Sequence, residues 1–251
     1  MDAAVEKPMD ARDTAQFALN KALGGFLSGK RGLRVLEAGG GSRSHITALD
    51  DISDIHMTAI DISREQLDNN QYANEKILGD LQQYRYAPGS YDCIVCYDVL
   101  EHLAQPEQAF TLLSEGLKPG GYFVVGSPNP LSLKGLITRL TPHAFHVFVY
   151  RVLFGEKRAG QPGFPPFETV MSKWVEPGNL VRLAKQNRLE VAYRDLYDSD
   201  PLKRNSWIVR GIWGLACGVL TVVTFLRWNP RLSDYHFVFV KRAVAENGAP
   251  V

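Results

Sequence analysis

Residues 35–41 read Val35-Leu36-Glu37-Ala38-Gly39-Gly40-Gly41, an apolar strand pattern that ends on a carboxylate and runs into three glycines. Because glycine has no Cβ, the backbone after this strand can turn sharply and lie against a ligand. A carboxylate two residues before such a turn would repel a pyrophosphate, whereas it suits a ligand that carries a positive charge. The stretch therefore predicts a strand, a tight turn and a binding site for a cationic small molecule.

The composition is that of one large globular domain or of one domain with insertions. The chain has 251 residues, of which 45% are hydrophobic, and 28 Lys and Arg balance 27 Asp and Glu. This balance predicts no nucleic-acid partner. The three cysteines are too few for a disulfide framework, and residues 1–6 lack the basic-then-apolar pattern of a secretory signal. We therefore expect a cytoplasmic protein.

Strand and helix patterns alternate along the chain. The spacing of apolar residues predicts helices over 10–29, 105–117 and 176–187, and strands over 33–38, 57–61, 76–80, 91–97, 122–126, 189–196 and 235–241. Alternation of this kind implies right-handed crossovers and a mostly parallel sheet with helices on both faces. Cys93 and Cys96 have the spacing of a redox pair, but side chains three positions apart in a strand point to opposite faces, which predicts two buried thiols.

Four carboxylates fall at or just after the ends of predicted strands: Glu37, Asp61, Asp80 and Asp98. In an open α/β sheet, ligands bind at the edge formed by the carboxyl ends of the strands. We therefore expect these side chains to meet at one site.

Five elements in this order resemble the class I S-adenosylmethionine (SAM)-dependent methyltransferases, closest in motif style to the ubiquinone-pathway O-methyltransferases. They are the acidic, glycine-rich loop 37–41, the second-strand Asp61, Gly79-Asp80, Tyr91-Asp92-Cys93-Ile94 and the 117–121 hairpin. The resemblance implies a Rossmann-like, seven-stranded, mostly parallel sheet whose last strand is antiparallel. It also implies a helical lid inserted after strand 5 and an apolar helical insertion between strands 6 and 7.

The same resemblance divides the chain and implies a cofactor site. The expected parts are an N-terminal helical cap (1–29), a SAM-binding core (30–127), an acceptor-binding lid (128–175), the C-terminal part of the core (176–243) with its apolar insertion (207–228), and a disordered tail (244–251). Glu37 would face the methionine ammonium, Asp61 the ribose hydroxyls and Asp80 the adenine amino group. The full cofactor-binding set is Glu37, Gly39, Gly40, Gly41, Asp61, Ile62, Asp80, Leu81 and Asp98.

One departure from the family pattern follows the glycine-rich loop. Residues 42–45 lead into a short segment interrupted by aspartates, so we expect the first family helix to be nearly absent. Arg43 and His45 have no role that the pattern explains.

Two alternative functions, from protein classes other than the methyltransferases, stay open. Asp61 lies about 20 residues past the glycines, as a nicotinamide dinucleotide site of an oxidoreductase also requires. That fingerprint places a third glycine where this chain has Ser44, and it gives no reason for Glu37. The second alternative is a regulatory protein that binds SAM without turnover.

Candidate catalytic residues are His102, after the fourth strand, and His143, His146 and Tyr150 in the lid. Histidine is suited to remove a proton from a hydroxyl acceptor near neutral pH. The structural alternatives are that Glu101 and His102 position the next helix and that the lid histidines are surface residues. A divalent metal held by Asp98, Glu101 and His102 is a further alternative, and we assign no metal site.

The apolar stretch 207–228 has Trp and Arg at both ends, like a membrane span, but its uncharged core is shorter than a crossing helix needs. The strands on either side should join one sheet, so both must stay on one side of a membrane. The stretch is then a buried helix, a lid or an interfacial anchor at the inner face of the membrane. Together these patterns predict methyl transfer, to oxygen before nitrogen or carbon, on a hydrophobic or anionic small molecule. The oligomeric state is left open.

Overall fold

The computed structural model describes residues 9–41, 44, 46–50, 52–153, 155–161, 166–199, 207–224 and 228–243. The expected disordered tail (244–251), the loop residues Ser42, Arg43 and His45, and positions 225–227 of the apolar insertion lie outside the described residues.

Seven strands form one sheet. They are β1 (Arg34–Ala38), β2 (His56–Asp61), β3 (Glu75–Leu78), β4 (Tyr91–Tyr97), β5 (Leu117–Pro128), β6 (Leu189–Tyr197) and β7 (Asp234–Lys241). Their order across the sheet is β3-β2-β1-β4-β5-β7-β6, and β7 runs antiparallel to both of its neighbours. This confirms the predicted sheet, including its antiparallel last strand.

The central strand β4 shows why the sheet is buried on both faces. Its sequence, Tyr-Asp-Cys-Ile-Val-Cys-Tyr, is nearly continuous in apolar residues, and it pairs in parallel with β1 and β5. Cys93 contributes to the cluster on one face of the sheet and Cys96 to the cluster on the other. The two thiols are therefore buried on opposite faces, as predicted, and burial raises the pKa of Cys93 to about 12.

Four helices cover the two faces of the sheet. On one face, α1 (Ala11–Leu27) inserts Leu19, Leu23 and Leu27 into the core. The other face is covered by α3 (Pro106–Gly116) and α6 (Pro177–Gln186), and Phe110 of α3 stacks on Phe123 of β5. The short helix α2 (Arg64–Asn69) follows β2, and the side chain of Ser63 caps it as the sequence predicts.

A single 3-10 turn, Thr47–Leu49, stands where the family pattern has its first helix after the glycine loop. Ile46 and Leu49 are buried beneath α1, so this short segment still covers the sheet. Among the described residues of this segment (44, 46–50 and 52–55), the expected near-absence of that helix is confirmed.

Two insertions carry the remaining helices. After β5 come α4 (Leu133–Leu140) and α5 (His143–Leu153), and between β6 and β7 lies α7 (Trp207–Val223). In the part of the chain that the structure describes, no helix combines the length and apolar character that a membrane crossing needs.

The carboxyl ends of β1 to β6, the start of β7 and both insertions meet at one edge of the sheet. Pro128 at the end of β5 and Tyr197 at the end of β6 each pair with Asp234, the first residue of β7. Ala38, at the end of β1, pairs with Ile60 of β2 and Cys96 of β4. The strand-end carboxylates of the sequence prediction, Glu37, Asp61, Asp80 and Asp98, lie at this edge.

Candidate active site

The glycine-rich loop is held against the end of β2. The amides of Gly39 and Gly40 both donate to the carbonyl of Ile60, at 2.8 and 3.3 Å. Gly39 has φ +71°, and a Cβ built there would lie 2.4 Å from Cγ2 of Val99. Only glycine fits at this position, because both the backbone conformation and the space exclude a side chain.

Asp61 ties the loop to β2. One of its carboxylate oxygens accepts from the amide of Gly41 at 3.1 Å and the other from the amide of Ser63 at 2.8 Å. A carboxylate has about four acceptor positions, so Asp61 has capacity for ligand hydroxyls as well. The next residue, Ile62, is 76% exposed, which places an apolar side chain on the surface beside the carboxylate.

Glu37 lies beneath the loop and is 4% exposed. The backbone of Gly40 passes so close that a Cβ there would lie 3.1 Å from Cγ of Glu37. The loop thus closes over the carboxylate that ends β1, and the sequence order of strand, carboxylate and glycines becomes a layered arrangement in space.

Asp80 lies two residues after the end of β3 and organises the turn there. Its side chain accepts from the amide and the side chain of Gln82 and from the side chain of Gln83, at 2.8 to 3.1 Å. This turn explains why β3 ends at Leu78 rather than at Asp80, where the sequence predicts its end. Leu81 is 5% exposed and belongs to the core.

Asp98 follows β4 with φ +54° and meets the first helix. The guanidinium of Arg12 on α1 donates to Oδ2 of Asp98 at 2.8 Å. The amide of Asp98 donates to the carbonyl of Gly126 on β5. Asp98 is therefore the point at which α1, β4 and β5 meet at the carboxyl edge.

Glu101 is a buried acid. It is 2% exposed, and Oε2 accepts from Ser127 Oγ at 3.1 Å. Burial and the nearby negative charge of Asp98 raise the pKa of Glu101 to about 8. Near neutral pH, much of Glu101 therefore carries a proton.

His102 contacts the end of the lid insertion rather than the next helix. Its Nδ1 lies 2.6 Å from the carbonyl oxygen of Glu168, and its ring meets the edge of Phe167. The carbonyl of Glu101 accepts from the amides of Val170 and Met171. The hydrogen bonds of His102 Nδ1 and of the Glu101 carbonyl therefore go to residues 168–171 and not to α3. A carbonyl can only accept, so Nδ1 carries the proton and the lone pair is on Nε2.

The lid residues His143, His146 and Tyr150 all lie on α5, as their spacing predicts. Nε2 of His146 is 2.8 Å from Oγ1 of Thr141, a residue of the loop between α4 and α5. Arg151, on the same helix, donates two hydrogen bonds to the carbonyl of Ala159. His143, His146 and Tyr150 therefore lie on one helix of the lid, whereas His102 lies after β4.

A buried polar cluster at the same edge was missed by the sequence analysis. Nε2 of His236, on β7, lies 2.7 Å from the hydroxyl of Tyr97 and 3.0 Å from that of Tyr197, and Tyr97 donates to Gln16 of α1. His236 is completely buried, and burial lowers its pKa to about 4. The only sequence signal was a histidine inside the otherwise apolar strand 235–240.

Asp234 extends this cluster to the lid. The hydroxyls of Ser199 and Ser233 donate to its Oδ2, and Nζ of Lys134 on α4 lies 3.8 Å from its Oδ1. A cation of the lid thus pairs with the first residue of β7.

Among the described residues, no group of three or more His, Cys, Asp or Glu side chains is placed to hold a metal ion. Of the three residues considered for a metal, Asp98 pairs with Arg12 and Glu101 accepts from Ser127. The structure gives no geometric support for a metal centre there.

Comparison with known proteins identifies the family. A family model described as a methyltransferase domain matches residues 11–198. An O-methyltransferase, rstn1, of Aspergillus nomiae is 26% identical over 137 residues, which are 48% of this chain and 61% of that protein. The chain thus spans less than two thirds of this relative.

Solved structures share the fold over nearly the whole chain. A SAM-dependent methyltransferase from Archaeoglobus fulgidus superposes with a TM-score of 0.56 at 17% identity, covering 92% of this chain and 95% of that one. Phosphoethanolamine N-methyltransferase 2 of Haemonchus contortus, in complex with SAM, has a TM-score of 0.55 at 14% identity, covering 90% of this chain and 53% of that one. The family and the fold select SAM, not a nicotinamide dinucleotide, as the cofactor. With its glycine loop, strand-end carboxylates and matching family model, the chain belongs to the class I SAM-dependent methyltransferases.

Proposed function

We propose that this enzyme transfers the methyl group of SAM to an oxygen atom of a hydrophobic small molecule. The observation that carries this proposal is the placement of two apolar helical insertions at the edge of the sheet that also carries the strand-end carboxylates. An acceptor that reaches this edge passes between apolar helices, which favours an apolar substrate.

The cofactor would lie along the ends of β1, β2 and β3. Glu37 is the second-last residue of β1, Asp61 is the last residue of β2, and Asp80 lies two residues after β3, so the three follow the sheet order. An extended ligand with an ammonium at one end and a nucleoside at the other fits this line of three carboxylates. We assign Glu37 to the ammonium, Asp61 and Ile62 to the ribose side, and Asp80 and Leu81 to the adenine. Gly39, Gly40 and Gly41 leave room for the backbone to approach, and Asp98 completes the set.

When bound, SAM would supply a methyl group on a positively charged sulfur, with the neutral thioether S-adenosylhomocysteine as the leaving group. What the protein adds is alignment and a place for the acceptor proton. We propose that Nε2 of His102 accepts the proton of the acceptor hydroxyl, because Nδ1–H already donates to the carbonyl of Glu168. Oε1 of Glu101 lies 3.8 Å from the same Nε2, but Glu101 is largely protonated near neutral pH and so carries little negative charge to stabilise an imidazolium.

The lid would bind the acceptor. We assign the acceptor contacts to His143, His146 and Tyr150, which all lie on α5. The basic character of the lid also suits an acceptor with an anionic group.

Oxygen is favoured over nitrogen or carbon by two observations. The Aspergillus relative is named an O-methyltransferase, and a hydroxyl acceptor requires a base such as the one that His102 provides. The nitrogen alternative rests on the Haemonchus structure, which is named an N-methyltransferase. A cytoplasmic location is proposed from the three buried cysteines, which form no disulfide, with contact at the inner face of a membrane for a lipid-soluble acceptor.

The test is methyl transfer from labelled SAM into fractionated cell extract. We expect label in the organic-soluble fraction, in a methyl ether or ester. The variant His102→Gln should lower the rate by about 10²–10⁴-fold with unchanged SAM affinity in calorimetry. The matched control is His56→Gln, at the start of β2 and the opposite edge of the sheet, which should leave the rate unchanged. Label on nitrogen, or full activity of the His102 variant, would contradict the proposal.

A further inference from the structure

We propose that the exposed apolar faces of α4, α5 and α7 form one lipid-binding surface that docks onto an anionic bilayer. This surface is called the insertion face below. The inference deepens the proposed function, since it names the phase from which a hydrophobic acceptor would arrive, but docking itself does not depend on turnover.

The helix α7 presents a continuous apolar stripe to solvent. The exposed side chains recur at helical spacing: Ile212, Leu215, Val219, Val222 and Val223, each between 52% and 70% exposed. Cys217 on the same helix is completely buried, so α7 packs on the protein with its opposite side. An apolar stripe of this length facing water is unusual in a monomer and marks an interaction site.

The lid helices add large apolar side chains to the insertion face. Leu140, at the end of α4, is 81% exposed, and on α5 Phe145, Phe148 and Val152 are 47%, 60% and 60% exposed. Most of the exposed large hydrophobic residues of the described chain thus lie in these two insertions. The rest of the surface carries only scattered ones, such as Tyr72.

Hydrogen bonds join the two insertions into one unit. After α7, Trp228 Nε1 donates to the carbonyl of Leu131 at 2.6 Å, and the amide of Leu133 donates to the carbonyl of Pro230 at 2.8 Å. Arg231 reaches back to the carbonyl of Gly214 within α7 at 3.3 Å. The base of the lid and the base of α7 are therefore connected at the carboxyl edge of the sheet.

The charge of the insertion face favours an anionic bilayer as its binding partner. The three helices carry no carboxylate, and three of their basic residues already have partners in the protein: Lys134 lies near Asp234, Arg139 pairs with Glu176, and Arg151 donates to the carbonyl of Ala159. The cations that face headgroups in this proposal are therefore Arg210 and Arg231. Arg210 is exposed on α7, and Arg231, also exposed, lies just beyond it. A second copy of the chain packed on the same surface would bring like charges together, whereas anionic lipid headgroups complement them. A helix with apolar and basic residues and no acidic ones is typical of one that lies in the headgroup region.

The test is co-sedimentation with vesicles, using the full chain. We expect binding to vesicles of phosphatidylcholine mixed with phosphatidylglycerol, and at least about tenfold weaker binding to phosphatidylcholine alone. The variant Leu215→Glu/Val219→Glu should lose binding to the mixed vesicles, and Arg210→Gln should weaken it. The matched control Tyr72→Glu changes an equally exposed hydrophobic residue outside the insertion face and should bind like the wild type.

Three results would overturn the inference. They are absence of binding to mixed vesicles, equal binding by the double variant, and a concentration-dependent dimer in sedimentation that the double variant abolishes. Calorimetry with SAM on the same samples separates this inference from the proposed function. Vesicle binding without SAM binding would contradict only the proposed function. SAM binding without vesicle binding would contradict only the membrane-docking inference.

Discussion

Single residues at the carboxyl edge combine conformational constraint with altered acidity. Gly39 is required where the loop meets Val99, Glu101 is held largely protonated by burial, and His236 is held neutral by burial. These three features come from the immediate surroundings of each residue, and each has a measurable consequence.

Replacing Gly39 with alanine should destabilise the protein and weaken SAM binding. The new Cβ meets Val99 at 2.4 Å, and the residue must keep φ +71°. We expect a loss of roughly 2–3 kcal/mol in the free energy of unfolding. The control Gly24→Ala lies inside α1 with no atom within 4 Å of the new Cβ, and should be neutral or stabilising by up to about 1 kcal/mol. Urea unfolding measures both, and equal effects of the two changes would refute the steric argument.

Glu101 should make the protein less stable as pH rises. Its pKa is about 8 in the folded protein and 4.5 in its ordinary state, so the folded state binds more protons between these values. The stability gained by protonation is complete below about pH 4.5 and is lost up to about pH 8, at no more than about 1.4 kcal/mol per pH unit. The variant Glu101→Gln should lack this slope in urea unfolding measured across that window. An unchanged slope would show that Glu101 is ionised in the fold.

His236 should have the opposite effect on the pH dependence of stability: it should make the protein more stable as pH rises. Its pKa is about 4 in the folded protein against 6.5 ordinarily, so the unfolded state binds more protons between these values. Its stability contribution is present above about pH 6.5 and is lost as pH falls towards about 4. The variant His236→Gln should flatten that acid limb in thermal unfolding. A parallel pH profile for the variant and the wild type would contradict the buried, neutral imidazole.

At the scale of elements, α1 is held by apolar burial more than by its ion pair. The Arg12 and Asp98 side chains are 52% and 35% exposed, so solvent screens their attraction. Leu19, Leu23 and Leu27 of the same helix are completely buried. The polar contacts of α1 therefore fix its position at the carboxyl edge, and the buried leucines supply most of the free energy that holds the helix on the sheet.

Two substitutions in α1 should separate these contributions. Leu23→Ala should cost about 2–5 kcal/mol of unfolding free energy, because it leaves a cavity in the core. Arg12→Gln should cost about 1 kcal/mol or less. Urea unfolding of both variants decides the matter, and a larger cost for Arg12→Gln would mean that the ion pair dominates.

At the scale of the whole molecule, one edge of the sheet gathers every part of the proposed reaction. The glycine loop and three carboxylates lie at the ends of β1 to β3, His102 follows β4, and the insertions follow β5 and β6. Ligand binding at this edge should stabilise the entire fold, since the loop, α1 and the lid all contact it.

SAM should therefore raise the unfolding free energy of the whole domain. A concentration about a hundredfold above the dissociation constant adds about 2.7 kcal/mol if only the folded state binds. The variant Asp61→Ala should show a clearly smaller increase at the same SAM concentration, because it loses both the proposed ribose contact and the hydrogen bond to Gly41. Thermal unfolding with and without SAM measures this, and an equal increase in both proteins would exclude Asp61 from the site.

The sequence alone determined the architecture and the family. Strand periodicity, the glycines after Glu37 and the carboxylates at strand ends depend on residues close together in the chain, and a parallel sheet brings such strand ends to one edge. It also predicted that the first family helix would be nearly absent, because the aspartates that interrupt this segment are visible directly.

Only the tertiary structure decided which partners these residues have. Arg12 and Asp98 are 86 positions apart, and Tyr97 and His236 are 139 apart, so no local pattern links them. The same holds for His102 and the carbonyl of Glu168, and for the raised pKa of Glu101, which requires burial by distant segments. Periodicity reports which face of an element is apolar, whereas a pairing or a pKa depends on what the completed fold places against that face.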